Sequence, residues 1–255
     1  MNVYMNSITE QFSTFNISGP KSRAIMRKVF SNIDFSNNKF PFMSFNTFDY
    51  LDTKVRIMRA SFTGELGYEI YVPPKYALEL WNKIFAYGKN LGLIPYGTET
   101  MHLLRAEKGY VVVGQDTDGT VTPIDLNLNW MIGKNKKDFI GKRSLSRSDT
   151  SRSDRKQLVG VLTLDRGKSI EEGQHVIEQN TLPRNINKPV DYLGHITSSY
   201  YSPTLNRYIA MGLLKNGNRL IGKKLYVSKS SGVENTEVEI VKPIFLDPEN
   251  KRLLS

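Results

Sequence analysis

The sequence predicts an α+β protein, a ferredoxin-like split βαβ domain followed by a small all-β barrel. Three observations lead there. Up to Lys108 the pattern runs strand, helix, strand, strand, helix; residues 77–88 carry apolar side chains at helical offsets; and from Leu158 onward only short alternating strands remain, separated by Gly, Pro and Asn.

In chain order, Gln11 to Ile17 reads as a strand, and Ser18-Gly19-Pro20 supplies a turn with proline near the first position of a short helix. The apolar face of that helix is Ile25, Met26, Val29 and Phe30, and the polar run Ser31 to Lys39 reads as a loop. Val55 to Phe62 and Tyr68 to Val72 read as two strands of a hairpin joined through Thr63-Gly64-Glu65-Leu66-Gly67. After Pro73-Pro74, the residues Ala77, Leu80, Trp81, Ile84, Phe85 and Gly88 fall on one helical stripe. A further helix is expected from Glu99 to Lys108, with Thr98 as N-cap and Gly109 placed to end it. Tyr110 to Val113, an apolar run, reads as a buried strand. Barrel strands are expected at Leu158 to Leu164, His195 to Ser199, Ile209 to Leu214, Lys224 to Val227 and Glu237 to Val241, without a helix among them. The polar, basic stretch around Ser146 to Arg155 is the natural boundary, giving domains 1–150 and 151–255.

Composition narrows the chemistry. A chain of 255 residues with 39% hydrophobic and 24% charged residues can bury a substantial core in one large or two ordinary domains. No apolar run approaches the length of a membrane span, and Met1 to Phe12 has neither a basic nor an apolar segment of an export signal, so no membrane association is expected and the cytoplasm is the default compartment. The absence of cysteine excludes disulfides, thiolate zinc and a thiol nucleophile, and His102, His175 and His195 lack metal-ligand spacing, so no metal is expected. Neither G-x-G-x-x-G nor a phosphate-cradling G-x-x-x-x-G-K-[ST] occurs, so this chain is expected to bind no flavin or NAD.

Lys and Arg exceed Asp and Glu by 35 − 25 = 10, which favours anionic partners. The densest basic stretch, from Lys134 to Lys156, is interleaved with Ser and Asp, as in a solvated linker. RNA binding would rest on that charge and on aromatic residues alone, without a nucleic-acid motif, and no nucleic-acid partner is expected.

The segment richest in chemical information is Thr63 to Val72. Strand alternation puts Tyr68, Ile70 and Val72 on one side and Glu69 with Tyr71 on the other. A carboxylate accepts paired hydrogen bonds from an amidine edge, and a neighbouring phenol offers a flat wall, which together suit a pterin ring. Pattern alone leaves open a plainer reading, with Glu69 in a surface ion pair and Tyr71 on a solvated face. His102 reads as an acid or base, or as a histidine packed beside its helix. Arg105 and Glu107 read as a structural pair or cap interaction, and Asp116, Asp118 and Gly119 as a turn, because the terminal glutamate of a calcium loop is missing.

Thr-Gly-Glu-Leu-Gly-Tyr-Glu-Ile, from Thr63 to Ile70, resembles the segment of the glycine-cleavage aminomethyltransferase family in which the second glutamate binds the pterin. Leu104 to Tyr110, Phe139-Ile140-Gly141-Lys142, Gly194 to Leu205 and Lys242-Pro243-Ile244-Phe245 are similar to further family segments in the same order. Within the family, Pro95 to His102 and Val113 to Gly119 look like the sarcosine oxidase alpha branch, in its carboxy-terminal folate-binding part.

The resemblance implies tetrahydrofolate as cofactor, Glu69 as the pterin-binding glutamate and Tyr71 as a wall of the folate pocket. It also assigns Phe62 and Met101 to that pocket, with departures from the glycine-cleavage pattern: Phe62 stands where a tyrosine is found, and Met101-His102 where an arginine-aspartate pair is found. The implied reaction is capture of the carbon of oxidised sarcosine as 5,10-methylenetetrahydrofolate, in a complex with other sarcosine oxidase-type subunits. The family's domain starts well upstream of the segment matching Glu10 to Lys21 and carries there the aspartate credited with steering the transfer. Nothing here matches it, so the catalytic residue is unassigned and the chain reads as a fragment, a split gene product or a subunit completed by another polypeptide. The alternative is a non-catalytic subunit or interaction module derived from the family.

Overall fold

The computed structural model describes residues 2–180, 191–228 and 234–255. The chain forms two compact units, one comprising the residues up to Leu104 with Glu249–Ser255, the other Arg105–Pro248.

The first unit is an antiparallel sheet with helices on one face. Its strands are β1 (Ser13–Ser18), β2 (Phe45–Tyr50), β3 (Thr53–Met58) and β4 (Gly67–Val72), in the spatial order β1-β4-β3-β2. Helix α1 (Ser22–Val29) follows β1 and helix α2 (Ala77–Gly88) follows β4. Ile17, Val55, Ile57, Tyr68, Ile70 and Val72 point from the sheet into a core closed by Ile25, Met26 and Val29 of α1 and Leu80 and Ile84 of α2. Each such side chain contributes about 1.5–3 kcal/mol by leaving water. The loop expected over Ser31 to Lys39 is present, but it carries Phe35, fully buried and 5.4 Å from the Tyr68 ring in an edge-on contact.

Two features of this unit differ from the sequence reading. Strand β2 was not anticipated, because its Phe45, Phe48 and Tyr50 do not alternate: Phe45 is 51% exposed while Tyr50 is buried. Strand β3 ends at Met58 rather than Phe62; the next residue, Arg59, keeps the inward phase of Val55 and Ile57 at 2% exposed and donates to the carbonyl of Phe40 at 3.0 Å and to Asn37 at 2.7 Å. The connection to β4 is therefore longer than a tight hairpin. The last residues belong to this unit too: helix α5 (Lys251–Leu254) is tied down by Arg252 to Glu65 at 2.9 Å, and the Ser255 carbonyl accepts from Arg23 at 2.6 Å.

The second unit holds the expected barrel. Strands β5 (Lys156–Thr163), β6 (His175–Ile177), β7 (Gly194–Ser202), β8 (Arg207–Lys215), β9 (Lys224–Val227) and β10 (Thr236–Val241) close in the order β10-β5-β8-β7-β6-β9. Val159, Val161, Val176, Ile196, Leu214, Val227 and Ile240 fill its interior. Closure leaves no sheet edge to template pairing with another chain. β6, only three residues long, and the short helix α4 (Gly217–Leu220) lie outside what alternation predicts.

Tyr110 to Val113 is not the buried strand expected of it. Val113 is 86% exposed, and the chain there turns around Gly114 at φ +94°. Residues 105–150, read from sequence as part of the first domain, lie in the second unit, where the Leu158 N–H donates to the Asp125 carbonyl at 2.7 Å. Helix α3 (Thr98–Glu107) crosses the division, with Thr98 as its first residue and Gly109, at φ +76°, just past its end. Among the described residues no helix is long and apolar enough to cross a membrane, and no cluster of His, Asp and Glu is placed to hold a metal ion.

Candidate functional site

The four-stranded sheet of the first unit has a helix-covered face and an outward face. Register fixes what the outward face presents. One row across the strands is Asn16, Glu69, Met58 and Phe45; the next is Thr14, Tyr71, Arg56 and Thr47. Glu69 and Tyr71 are half-buried and next to each other on β4, as strand alternation requires. The Tyr71 hydroxyl donates to Glu69 Oε2 at 2.5 Å.

That contact sets the electrostatics. Burial, reinforced by the neighbouring Glu69 carboxylate, pushes the Tyr71 phenol up to about 12, so the hydroxyl keeps its proton and continues to donate. Oε2 of Glu69 is thereby engaged, while Oε1 accepts no hydrogen bond from the described residues. A carboxylate held by one oxygen with the other open is suited to a donor-rich ligand edge. Phe45 places a second ring beside that of Tyr71, inclined at 62° with the centroids 6.4 Å apart.

Beside the pair, at the β1 edge, lies a cavity of about 340 Å³. Thr14 and Asn16 of β1 line it together with Trp81, Phe85, Tyr96 and Met101. Glu69 and Tyr71 are not in its wall; Asn16 is the link, being the register partner of Glu69 and accepting from the Tyr96 hydroxyl at 3.1 Å. A larger cavity of about 810 Å³ lies in the second unit, lined by Leu126, Met131, Phe139, Ile140 and Arg155 among others. It has no acid–phenol pair, and Arg155 is committed to Asp125 at 2.7 Å.

Of the residues singled out in the sequence, Glu69 and Tyr71 are in direct contact and Met101 reaches the adjoining cavity. Phe62 is half-buried in the β3–β4 connection, outside the outward rows and the cavity lining. His102 is half-buried on α3 and does not line the cavity. Asn16, Arg56 and Tyr96 were not singled out. The first two share the face of Glu69 and Tyr71 by the same alternation and could have been found from the strand register, whereas Tyr96 arrives from a loop that no periodicity marks.

Arg105 and Glu107 do not pair with each other. Arg105, with no exposed surface, forms an ion pair with Asp116 and donates to Ser198 at 2.8 Å, while Glu107 accepts from Ser202 at 2.5 Å. Asp116 also accepts from the Val112 N–H at 2.9 Å, Thr197 at 2.6 Å and Ser198 at 2.5 Å. A bulge in β7 between Ile196 and Ser198 lets the consecutive Thr197 and Ser198 both reach this carboxylate. The Asp116 carboxylate is fully engaged and buried, with Arg105 Nε left without a partner among the described residues, an arrangement that marks the network as structural rather than reactive.

Comparison with known proteins agrees with the architecture. Residues 1–136 match the GCVT N-terminal domain, and residues 156–247 match the glycine cleavage T-protein C-terminal barrel domain. The chain is 42% identical over 254 residues to the sarcosine oxidase subunit alpha of Corynebacterium sp. (strain P-1), covering 99% of this chain and 26% of that protein. It is 34% identical to the aminomethyltransferase of Halothermothrix orenii, covering 86% of this chain and 57% of that protein. The solved glycine cleavage system aminomethyltransferase T from Bartonella henselae superposes with a TM-score of 0.73 at 23% identity, covering 91% of this chain and 59% of that one, a likeness of fold. The chain thus spans about a quarter of the length of the sarcosine oxidase alpha subunits it matches.

Proposed function

The chain belongs to the glycine cleavage T-protein (GCVT) family of folate-dependent one-carbon transfer, and from that premise we propose that it is the tetrahydrofolate-binding part of a sarcosine oxidase alpha-like protein. The observation that carries the reading is the Glu69–Tyr71 pair on an outward sheet face, with one carboxylate oxygen still open. Glu69 accepts the amidine edge of the pterin, Tyr71 holds that carboxylate in orientation and walls the ring, and Met101 bounds the neighbouring cavity. Phe62 is assigned to the same pocket from the family pattern alone. Bound tetrahydrofolate supplies the nitrogens that take up the carbon of oxidised sarcosine, giving 5,10-methylenetetrahydrofolate. The chain's contribution is positioning on a rigid strand rather than covalent catalysis.

The two family segments, 1–136 and 156–247, support a modular division near residue 150. Partner subunits of the sarcosine oxidase type are inferred from the name of the relatives.

Equilibrium titration of the purified chain with tetrahydrofolate tests the reading. Saturable binding is expected, weakened by about 1 kcal/mol or more in Glu69→Gln, which keeps the shape and removes the charge. Equal affinity in the two proteins removes Glu69 from the site.

A second reading, a non-catalytic interaction module, is favoured by a different feature. Trp130 and Met131, just before the basic stretch, and Ile140 within it are 73%, 63% and 105% exposed, more apolar surface than a solvated linker needs. It predicts that the chain binds a partner subunit but no folate, and that Ile140→Asp abolishes the association; folate binding with no effect of Ile140→Asp on assembly excludes it.

A further inference from the structure

Strand β3 carries two cations on the outward face, Lys54 and Arg56, and they are used differently. Lys54 is paired with Asp49 across the β2–β3 ladder. Arg56 has no carboxylate partner among the described residues, although Glu69 stands diagonally across the β3–β4 pair. Its guanidinium lies over the Phe12 ring, 4.5 Å from the centroid, an arrangement that holds the planar fork by cation–π attraction and leaves its N–H edge free.

The position of that fork relative to Glu69 follows from register. Ser13 faces Val72, so Phe12 is level with residue 73, four residues along β4 from Glu69. At a rise of ~3.3 Å per residue that level is about 13 Å along the strand from Glu69, and Arg56, which starts from the row of Tyr71, reaches toward it to meet the Phe12 ring. The face therefore presents an open carboxylate oxygen at one end, an aromatic wall in the middle and an unneutralised guanidinium at the other. A ligand matching it has a donor-rich flat ring, a second flat ring and an anionic end, and is comparable in length to an extended reduced folate.

We propose that Arg56 receives the carboxylate end of the folate, so that this face selects a tetrahydrofolate bearing its glutamyl tail over a bare tetrahydropterin. Arg56 is then a specificity-determining residue of the site assigned above, and the proposal rests on that assignment. The planar fork matches a carboxylate with two parallel hydrogen bonds, which a lysine cannot reproduce.

The test uses the 255-residue chain with two probes, tetrahydrofolate and the tail-less 6-methyltetrahydropterin, against wild type, Arg56→Gln, Arg56→Lys and Glu69→Gln. Arg56→Gln is expected to weaken tetrahydrofolate by about tenfold or more and to leave the tail-less probe unchanged, with Arg56→Lys between. Glu69→Gln is expected to weaken both probes. If Arg56→Gln weakens the two probes equally, or neither, while Glu69→Gln weakens both, the tail assignment is overturned and the folate reading stands. If Glu69→Gln changes nothing, or the wild-type chain binds neither probe, the folate reading falls and the assignment of Arg56 falls with it. Should Arg56→Gln lose its fold, Arg56→Lys decides: unchanged selectivity between the probes overturns the proposal.

Discussion

Tyr71 donates its hydroxyl hydrogen to Glu69 Oε2 at 2.5 Å, two residues along one strand, so the acid is aimed by a neighbour that the strand's own alternation delivers. The pair needs no long-range packing to form, and it leaves Glu69 Oε1 open on the outward face. The first prediction follows from its electrostatics.

Because the Tyr71 phenol is pushed up to about 12, chiefly by burial and then by Glu69, the folded chain binds this proton more tightly than the unfolded one, whose phenol sits near 10. Stability linked to it is complete below pH 10 and is lost as pH rises from about 10 to 12. Tyr50 and Tyr110 are also raised by burial, so the measurement is a difference: urea denaturation between pH 9 and 12 should show a shallower decline in Tyr71→Phe than in wild type. Identical slopes contradict the environment assigned to Tyr71.

The Arg105–Asp116 ion pair has no exposed side-chain surface on either partner. Breaking it leaves a buried charge uncompensated, so Asp116→Ala should cost about 3–5 kcal/mol in the unfolding of the second unit. The double variant Arg105→Met/Asp116→Leu should cost less than the sum of the single changes, since it removes both charges together. Additive losses in a denaturant-based cycle contradict the pairing.

Two glycines at positive φ separate backbone strain from collision. Gly114, at φ +94°, has open space around the position a Cβ would take, whereas at Gly109, φ +76°, that Cβ meets the Pro243 carbonyl oxygen at 2.1 Å. Gly114→Ala should cost about 1–2 kcal/mol from the left-handed backbone alone, and Gly109→Ala distinctly more, measured as a shift in denaturation midpoint. Equal costs contradict the close approach.

His195 is held below its ordinary value, first by burial and then by the neighbouring Lys156 and His175 charges. The folded chain therefore resists protonation that the unfolded chain accepts near pH 6.5, and stability falls as pH drops below that point toward the folded value. His195→Gln should flatten the pH dependence of the melting temperature between about pH 5 and 7. A profile unchanged from wild type contradicts the assignment.

Legibility in the sequence tracked locality. β4 and α2 show their period directly, because their inward residues pack on one continuous core. α3 was legible from Thr98 and Gly109, and the five longer barrel strands from alternation between turn residues. β2 was not, because an edge strand with Phe45 turned outward breaks the two-residue period. Tyr110 to Val113 misled for the opposite reason: an apolar run suits a buried strand, but the Asp116 carboxylate, accepting from Val112 N–H, pins the segment into a turn.

The site followed the same rule. Glu69 and Tyr71 are neighbours by alternation and were legible together. Asn16 and Arg56 join them only through strand pairing, at separations of 53 and 13 residues from Glu69, and the fork of Arg56 is oriented by Phe12, which no local pattern connects to it. Asp116 was read as part of a turn, where it does lie, but its buried role was not legible because its partners Thr197 and Ser198 are 81 and 82 residues away.

The structure of this chain bound to tetrahydrofolate tests the central claim most directly. The amidine edge of the pterin should lie within hydrogen-bond distance of Glu69, with Tyr71 against the ring. A folate seated instead in the cavity of the second unit, with Glu69 and Tyr71 exposed to water, would contradict it.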